Sequence, residues 1–258
     1  MVDEETLQQA AEQLWAADPE TALQVTAPVA DLDVRLLGAQ RFLNSTKSTV
    51  ESTLASLKRV RRLRRTALGQ APQGQLSESD VDLLRTALLF AGAGLDATLK
   101  QAVRDAVPSI VETNEKAAEK LKRFTKGHVA LPDGAVNAES LATILLADET
   151  SPRKAIVDAY ASHLTADSAQ SVERVIDIAA ALGVTDDEVV KRIRHGKLQQ
   201  AFKARNEIGH TLDLEPENQP GHFGNKRHRP LEATIGLVRE VLDITQLILN
   251  KANSNLVP

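Results

Sequence analysis

The chain has 258 residues, a formal net charge of −4 and no cysteine, which suits one large domain or one domain with an appendage and excludes a disulfide scaffold, a thiol nucleophile and a Cys-rich zinc site. With 42% apolar and 26% charged residues it is composed like an ordinary globular protein, so wholesale disorder and a collagen-like chain are excluded. Aromatic residues make up 3% (five Phe, one Tyr, one Trp), which argues against an all-β fold and against single-stranded nucleic acid held on an aromatic platform.

The chain opens on Met1-Val2-Asp3-Glu4-Glu5, an acidic start without the basic-then-apolar order of a signal peptide, and no apolar run reaches the ~20 residues of a membrane helix. The expectation is a cytoplasmic protein with no membrane partner. Residues 3–17 form a short amphipathic helix candidate closed by Asp18-Pro19. A long helix then starts near Asp31, with Leu36, Leu43, Val50 and Leu57 repeating in sevens beside Leu32, Ala39, Thr46, Thr53 and Val60. That pattern reads as a coiled-coil seam or one limb of a helical hairpin. Gly69-Gln70-Ala71-Pro72-Gln73-Gly74 is the linker candidate and divides the chain into an N-terminal helical appendage, 1–75, and a larger helical domain, 76–258.

Ser77-Glu78-Ser79-Asp80 has the form of a capping box and opens a helix running through Leu84, Leu88, Ala91, Leu95, Leu99 and Val103 to Pro108. Gly92 and Gly94 inside it imply that another backbone or helix approaches closely. A helix from Ser109 to about Arg123 follows, then short helices inserted around 128–165, started by Asn137 and by Ser151-Pro152. Ser168 to Leu182 is a further helix with Gly183 at its C-terminal cap. Thr185-Asp186-Asp187-Glu188 opens one long basic helix; the polar stretch Asp213 to Arg229 is a loop, and Pro230 opens the last helix over Leu231, Ile235, Val238, Leu242 and Leu249. No strand alternation of any length occurs, so the expected class is all-α.

Charge is uneven along the chain. Lys58, Arg59, Arg61, Arg62, Arg64 and Arg65 form one basic run, and six Lys or Arg with His195 lie between Lys191 and Arg205. The string Arg205-Asn206-Glu207-Ile208-Gly209-His210 ends the second run. On a regular helix at roughly 100° per residue, Arg205 and His210 do not share a face, whereas Asn206 and His210 at i, i+4 do. Arginine and histidine could converge if Gly209 loosens the last turn, or across a two-fold axis where each protomer contributes a copy. Their chemistry suits RNA cleavage: histidine moves protons near neutral pH, and the guanidinium fork stabilises charge on a phosphate. The bland alternative pairs Arg205 with Glu207 or a neighbouring carboxylate and leaves His210 as a helix cap.

In its helical context this string resembles the HEPN superfamily of all-α domains, nearest the RiboL-PSP-HEPN branch. Leu84-Arg85-Thr86-Ala87-Leu88-Leu89-Phe90 running into Leu95-Asp96-Ala97, Ser168 to Val175 ending in Leu182-Gly183, and Ala204 to Thr211 are similar in kind to that branch. The resemblance covers about residues 78–250 and implies a helical bundle that dimerises so that two Arg-His motifs line one RNA-cleaving cleft, with no cofactor and no metal. It makes His210 the group handling the proton of a ribose 2′-hydroxyl or leaving oxygen, Arg205 the phosphate clamp and Asn206 a polar orienter of histidine or substrate. Asp96 matches a supporting acidic position, with a salt bridge to Lys100 as its alternative. Many such proteins are toxins or anti-phage effectors, so the implied partners are RNA, a second copy, and an antitoxin or other protein.

Lys203, together with Lys226, Arg227 and Arg229 of the loop, is expected to hold an RNA backbone, and His222 and His228 lie in the same loop. His128 and His163 have no companions at ligand spacing and read as structural. The second reading, from a different class, is a non-catalytic helical module binding a protein partner or nucleotide.

Overall fold

The computed structural model describes residues 23, 25–68, 76–129, 136–145, 151–215 and 224–256. The helix expected over 3–17, the linker 69–74, His222 and Phe223 lie outside the described residues. These comprise a short 3-10 turn, Val34–Leu36, and nine helices: α1 Leu37–Leu68, α2 Glu78–Thr113, α3 Glu115–Val129, α4 Ala138–Leu145, α5 Pro152–Ala166, α6 Val172–Ala181, α7 Asp187–His195, α8 Leu198–Thr211 and α9 Leu231–Asn253. An isolated antiparallel bridge joins Leu214 and Lys226. The fold is all-α.

The sevenfold repeat in α1 has a clear destination. Leu36, Ala39, Leu43, Val50 and Leu57 are buried, with Leu54 beside them, and they face α2 in an antiparallel hairpin. Its register is read from three points: Arg64 Nη1 donates to Asp80 at 3.0 Å, Thr46 lies against Gly94, and Gly38 lies against Gln101 and Asp105. The core is continuous across residue 75, with the apolar residues of α1 in one cluster with those of α2, α3 and α5 to α9.

Helix α2 is the axis of the bundle, packed against α1, α5, α8 and α9. Such a helix must be apolar on several sides, and its buried residues run from Val81 to Val111. Ser77 begins it with a complete capping box: its hydroxyl accepts the Asp80 N–H at 3.3 Å and Asp80 accepts the Ser77 N–H at 3.0 Å. The expected stop at Pro108 does not occur. Pro108 lies inside α2, held between buried Val107, Ile110 and Val111, and tertiary packing outweighs the one lost backbone bond. The break comes instead at Asn114, whose backbone turns extended and whose side chain accepts the Ala117 N–H at 3.0 Å to start α3.

The remaining punctuation is mostly local. Ser151 caps α5 with proline at its first turn. Helix α6 starts later than the expected Ser168, at the Ser171 cap, and ends in a full Schellman turn: Val184 N–H reaches Ala179 C=O and Gly183, at φ 74°, reaches Ala180 C=O. The single basic helix expected after Thr185 is two helices. Asp186, one residue later than Thr185, caps α7, and Gly196 makes an elbow before α8. A Cβ there would stand 2.5 Å from the Arg192 carbonyl and 2.6 Å from Glu240 Oε1, so the elbow is pressed onto α9 where only glycine fits. Arg192 secures it by ion pairs to Glu240 and Asp243.

Before α1, the segment 25–33 lies along α9 as an extended strap. Thr26 bonds Asp243, Asn250 Nδ2 donates to Ala27 C=O at 2.8 Å, and Asp33 N–H donates to Asn253 at 2.7 Å. Gln40 and Gln246, both buried, exchange two side-chain hydrogen bonds of 2.8 Å and fix α1 against α9.

Candidate functional site

Helix α8 carries the Arg-Asn-x-x-x-His string. Leu198, Ala201, Phe202, Ala204 and Ile208 are its buried residues, which leaves Lys203 and His210 exposed and Arg205, Asn206 and Glu207 on the half-buried flanks. Gly92 of α2 makes room for the arginine: a Cβ on Gly92 would come 3.3 Å from Arg205 Cγ. From there the side chain runs toward the helix C terminus, with Nη1 3.8 Å from where a Cβ of Gly209 would be and 3.2 Å from the Asn206 Oδ1 that accepts its hydrogen bond. The two glycines in α2 thus mark close approaches, Gly92 to Arg205 and Gly94 to Thr46.

Arg205 does not pair with Glu207, and among the described residues it has no carboxylate partner. Its Nε is buried without a hydrogen-bond partner. His210 makes no hydrogen bond or ion pair with a described residue, and none joins it to Arg205. Gly209 does not loosen the helix, which stays regular to Thr211. Asn206 therefore orients the arginine.

Below the motif the chain reverses through two left-handed residues, Leu212 at φ 52° and Asp213 at φ 63°. The second is locked by charge. Asp213 is fully buried, accepts Arg85 Nε at 2.8 Å and Arg229 Nε at 3.0 Å, and its backbone carbonyl accepts the Arg227 N–H at 2.8 Å. Glu207 takes Arg229 Nη2 at 2.9 Å and Arg227 Nε at 3.8 Å, and Lys226 pairs with Glu78 and Asp82. Burial works against the Arg229 charge, yet its bonds to Asp213 and Glu207 raise its pKa above the usual arginine value. Burial likewise pushes Asp82 up, and the bonds from Arg85 and Lys226 outweigh it, leaving its pKa lowered.

The expected RNA-contacting residues therefore divide. Lys226, Arg227 and Arg229 hold residues 224–230 onto α2 and α8, whereas Lys203 is exposed and makes no ion pair with a described residue. Asp96 is engaged on both oxygens, with Lys100 at 3.1 Å and the Ala169 N–H at 2.7 Å, so it supports the turn leading to α6. His195 and His228 are exposed. Beside the motif a cleft of about 1090 Å³ lies between α6, α7 and α8, with Gln170, Arg194, Gln200, Lys203, Asn206 and Glu207 among its walls. Arg85 and Asp213 belong to no motif that the sequence shows; their only signal there is an acidic residue just past the Arg-His string followed by an arginine-rich stretch.

Among the described residues no group of three or more His, Asp or Glu is placed to hold a metal ion. No helix among them is long and apolar enough to cross a membrane. Compared with protein-family models, with curated proteins and with solved structures, the chain matches none.

Proposed function

We propose that the chain is a metal-independent endoribonuclease of HEPN type, acting as a homodimer in which Arg205 and His210 of two protomers line one cleft, in a toxin or anti-phage role. The observation that carries this reading is the contrast at the end of α8. Arg85, Arg227 and Arg229 all have carboxylate partners, while Arg205 beside them has only Asn206. A half-buried guanidinium with an unpartnered Nε and no counter-charge suits a phosphate, and an exposed imidazole ends the same helix.

In the reaction, His210 of one protomer takes the proton of a ribose 2′-hydroxyl as its oxygen attacks the adjacent phosphorus. Arg205 stabilises the charge on the non-bridging oxygens. The bond to the 5′-oxygen breaks, and that oxygen takes a proton from His210 of the second protomer, leaving a 2′,3′-cyclic phosphate and a 5′-hydroxyl. Transfer to the 2′-oxygen uses no metal. The reading uses two copies because residues five apart differ by roughly 140° around one helix, and no hydrogen bond joins Arg205 to His210.

The test is RNA cleavage in the presence of chelator. Wild type should cleave, and His210→Ala and Arg205→Ala should each lose roughly 10²–10⁴-fold; expression of wild type should arrest growth and His210→Ala should not. An inactive wild type, or variants that cleave equally well, overturns the catalytic reading. A chain that stays monomeric supports the non-catalytic module.

A further inference from the structure

With five Phe, one Tyr and one Trp in 258 residues, any gathering of rings in this protein is unusual, and one exists away from the motif. Phe124 and His128 of α3 stack at 5.2 Å with 19° between their planes. From α5, Tyr160 meets Phe124 at 5.1 Å and His163 meets it at 5.2 Å. In the sequence these two histidines have no companions at ligand spacing; the α3–α5 packing brings both to one phenyl ring. Phe124 and Tyr160 lie inward, while both imidazoles are exposed.

These rings wall a cavity of about 460 Å³ whose charged lining is Lys120, Arg123, Arg174 and Asp177. Three fixed cations face one carboxylate. Lys120 and Arg123 make no ion pair with a described residue. Arg174 Nη2 donates to the His163 carbonyl at 2.6 Å, anchoring it across α5 and α6, and its Nε is buried without a partner. Burial, with Asp177 adding to it, pushes the Tyr160 hydroxyl up to about 12, so it remains an O–H donor.

Packing α3 on α5 needs the inward rings alone; it does not need two exposed imidazoles and a cationic rim. A planar ring system with an attached anion uses all of them: imidazole and phenyl faces for stacking, Arg123, Lys120 and Arg174 for the charge. The volume lies within the ~300–1000 Å³ range of small-ligand sites, less than half that of the cleft beside α8. We propose that the cavity between α3, α5 and α6 is a binding site for a single nucleoside phosphate, with His128 and His163 stacking the base and Arg123 and Arg174 holding the phosphate. The site is independent of the ribonuclease reading, although Asp177 of α6 lines both clefts.

The experiment is calorimetric titration of the full chain with AMP, GMP, CMP and UMP, alongside the four matching nucleosides and inorganic phosphate. At least one nucleotide should bind, with its nucleoside and phosphate alone weaker by roughly tenfold or more. Arg123→Gln and His163→Ala, both at exposed positions, should each weaken the nucleotide by a similar factor, while circular dichroism and melting temperature show them folded. Absence of binding by all four nucleotides at millimolar concentration overturns the proposal. So does phosphate binding as tightly as the nucleotide, or a nucleotide that binds both folded variants as it binds wild type.

Discussion

Arg85 and Asp213 stand 128 residues apart in sequence and meet inside the protein, the Arg85 Nε donating to the buried carboxylate at 2.8 Å. The carboxylate also holds Arg229, so one buried anion serves two arginines at the base of the motif helix, with Asp82 and Glu207 pairing them on the outer side. Replacing Asp213 by alanine leaves both cations without it in the interior. We expect a loss of roughly 3–5 kcal/mol, read from urea unfolding, because removing one member of a buried ionic cluster strands the others. A loss below about 1 kcal/mol would show that water already screens the cluster.

Gly94 and Thr46 set the spacing of the α1–α2 hairpin. A Cβ on Gly94 would fall 2.2 Å from both Thr46 Cγ2 and Oγ1 and 2.6 Å from its Cβ. Gly94→Ala should therefore cost about 1–3 kcal/mol despite alanine's better helix propensity. Thr46→Ala should recover much of it, giving a coupling of roughly 0.5–3 kcal/mol in the double-mutant cycle. Additive single effects would mean that the hairpin separates freely.

What could be read from the sequence follows the range of the interactions. The capping box at Ser77, the Ser151-Pro152 start, the Gly183 turn and the sevenfold repeat of α1 are satisfied within a few residues or by one helix face. Pro108 was misleading because buried Val107, Ile110 and Val111 carry the helix past it. Gly196 is a local requirement that no turn motif announces: the nearest obstacle to a side chain there is the Arg192 carbonyl four residues earlier, with Glu240 behind it. Lys226, Arg227 and Arg229 were visible as cations, but whether a cation faces RNA or a carboxylate depends on what the fold brings opposite. The gathering of His128, His163, Phe124 and Tyr160 is wholly tertiary.

Leu212 is an unfavourable residue for its place. It holds φ 52° at the C-terminal cap of α8 and is 70% exposed, so its side chain strains the backbone and buries little. Leu212→Gly should stabilise the isolated chain by about 1 kcal/mol, seen as a higher melting temperature. If the variant is less stable, Leu212 makes a packing contribution that its exposure conceals.

The strap carries a pH signature. The Arg35 guanidinium, hydrogen-bonded to Asp33, lowers that carboxyl from 3.8 to about 2. A folded pKa below the unfolded one gives stability that is fully present above about pH 4 and disappears as pH falls toward 2. Wild type should therefore lose melting temperature across that interval more steeply than Asp33→Asn. Parallel curves would place the acid sensitivity elsewhere.

The strap along α9 also bears on when the protein can become itself. Residues 25–33 and the Gln40 amide find their partners between Asp243 and Asn253, over 200 positions later, and at ~5–20 residues per second of synthesis that wait is roughly 10–40 s. For the later part of that interval, once residues 37–113 have been made, an α1–α2 hairpin has the flank meant for α9 uncovered. Until α9 emerges, the Gln40 amide and the apolar flank around it stay open to water.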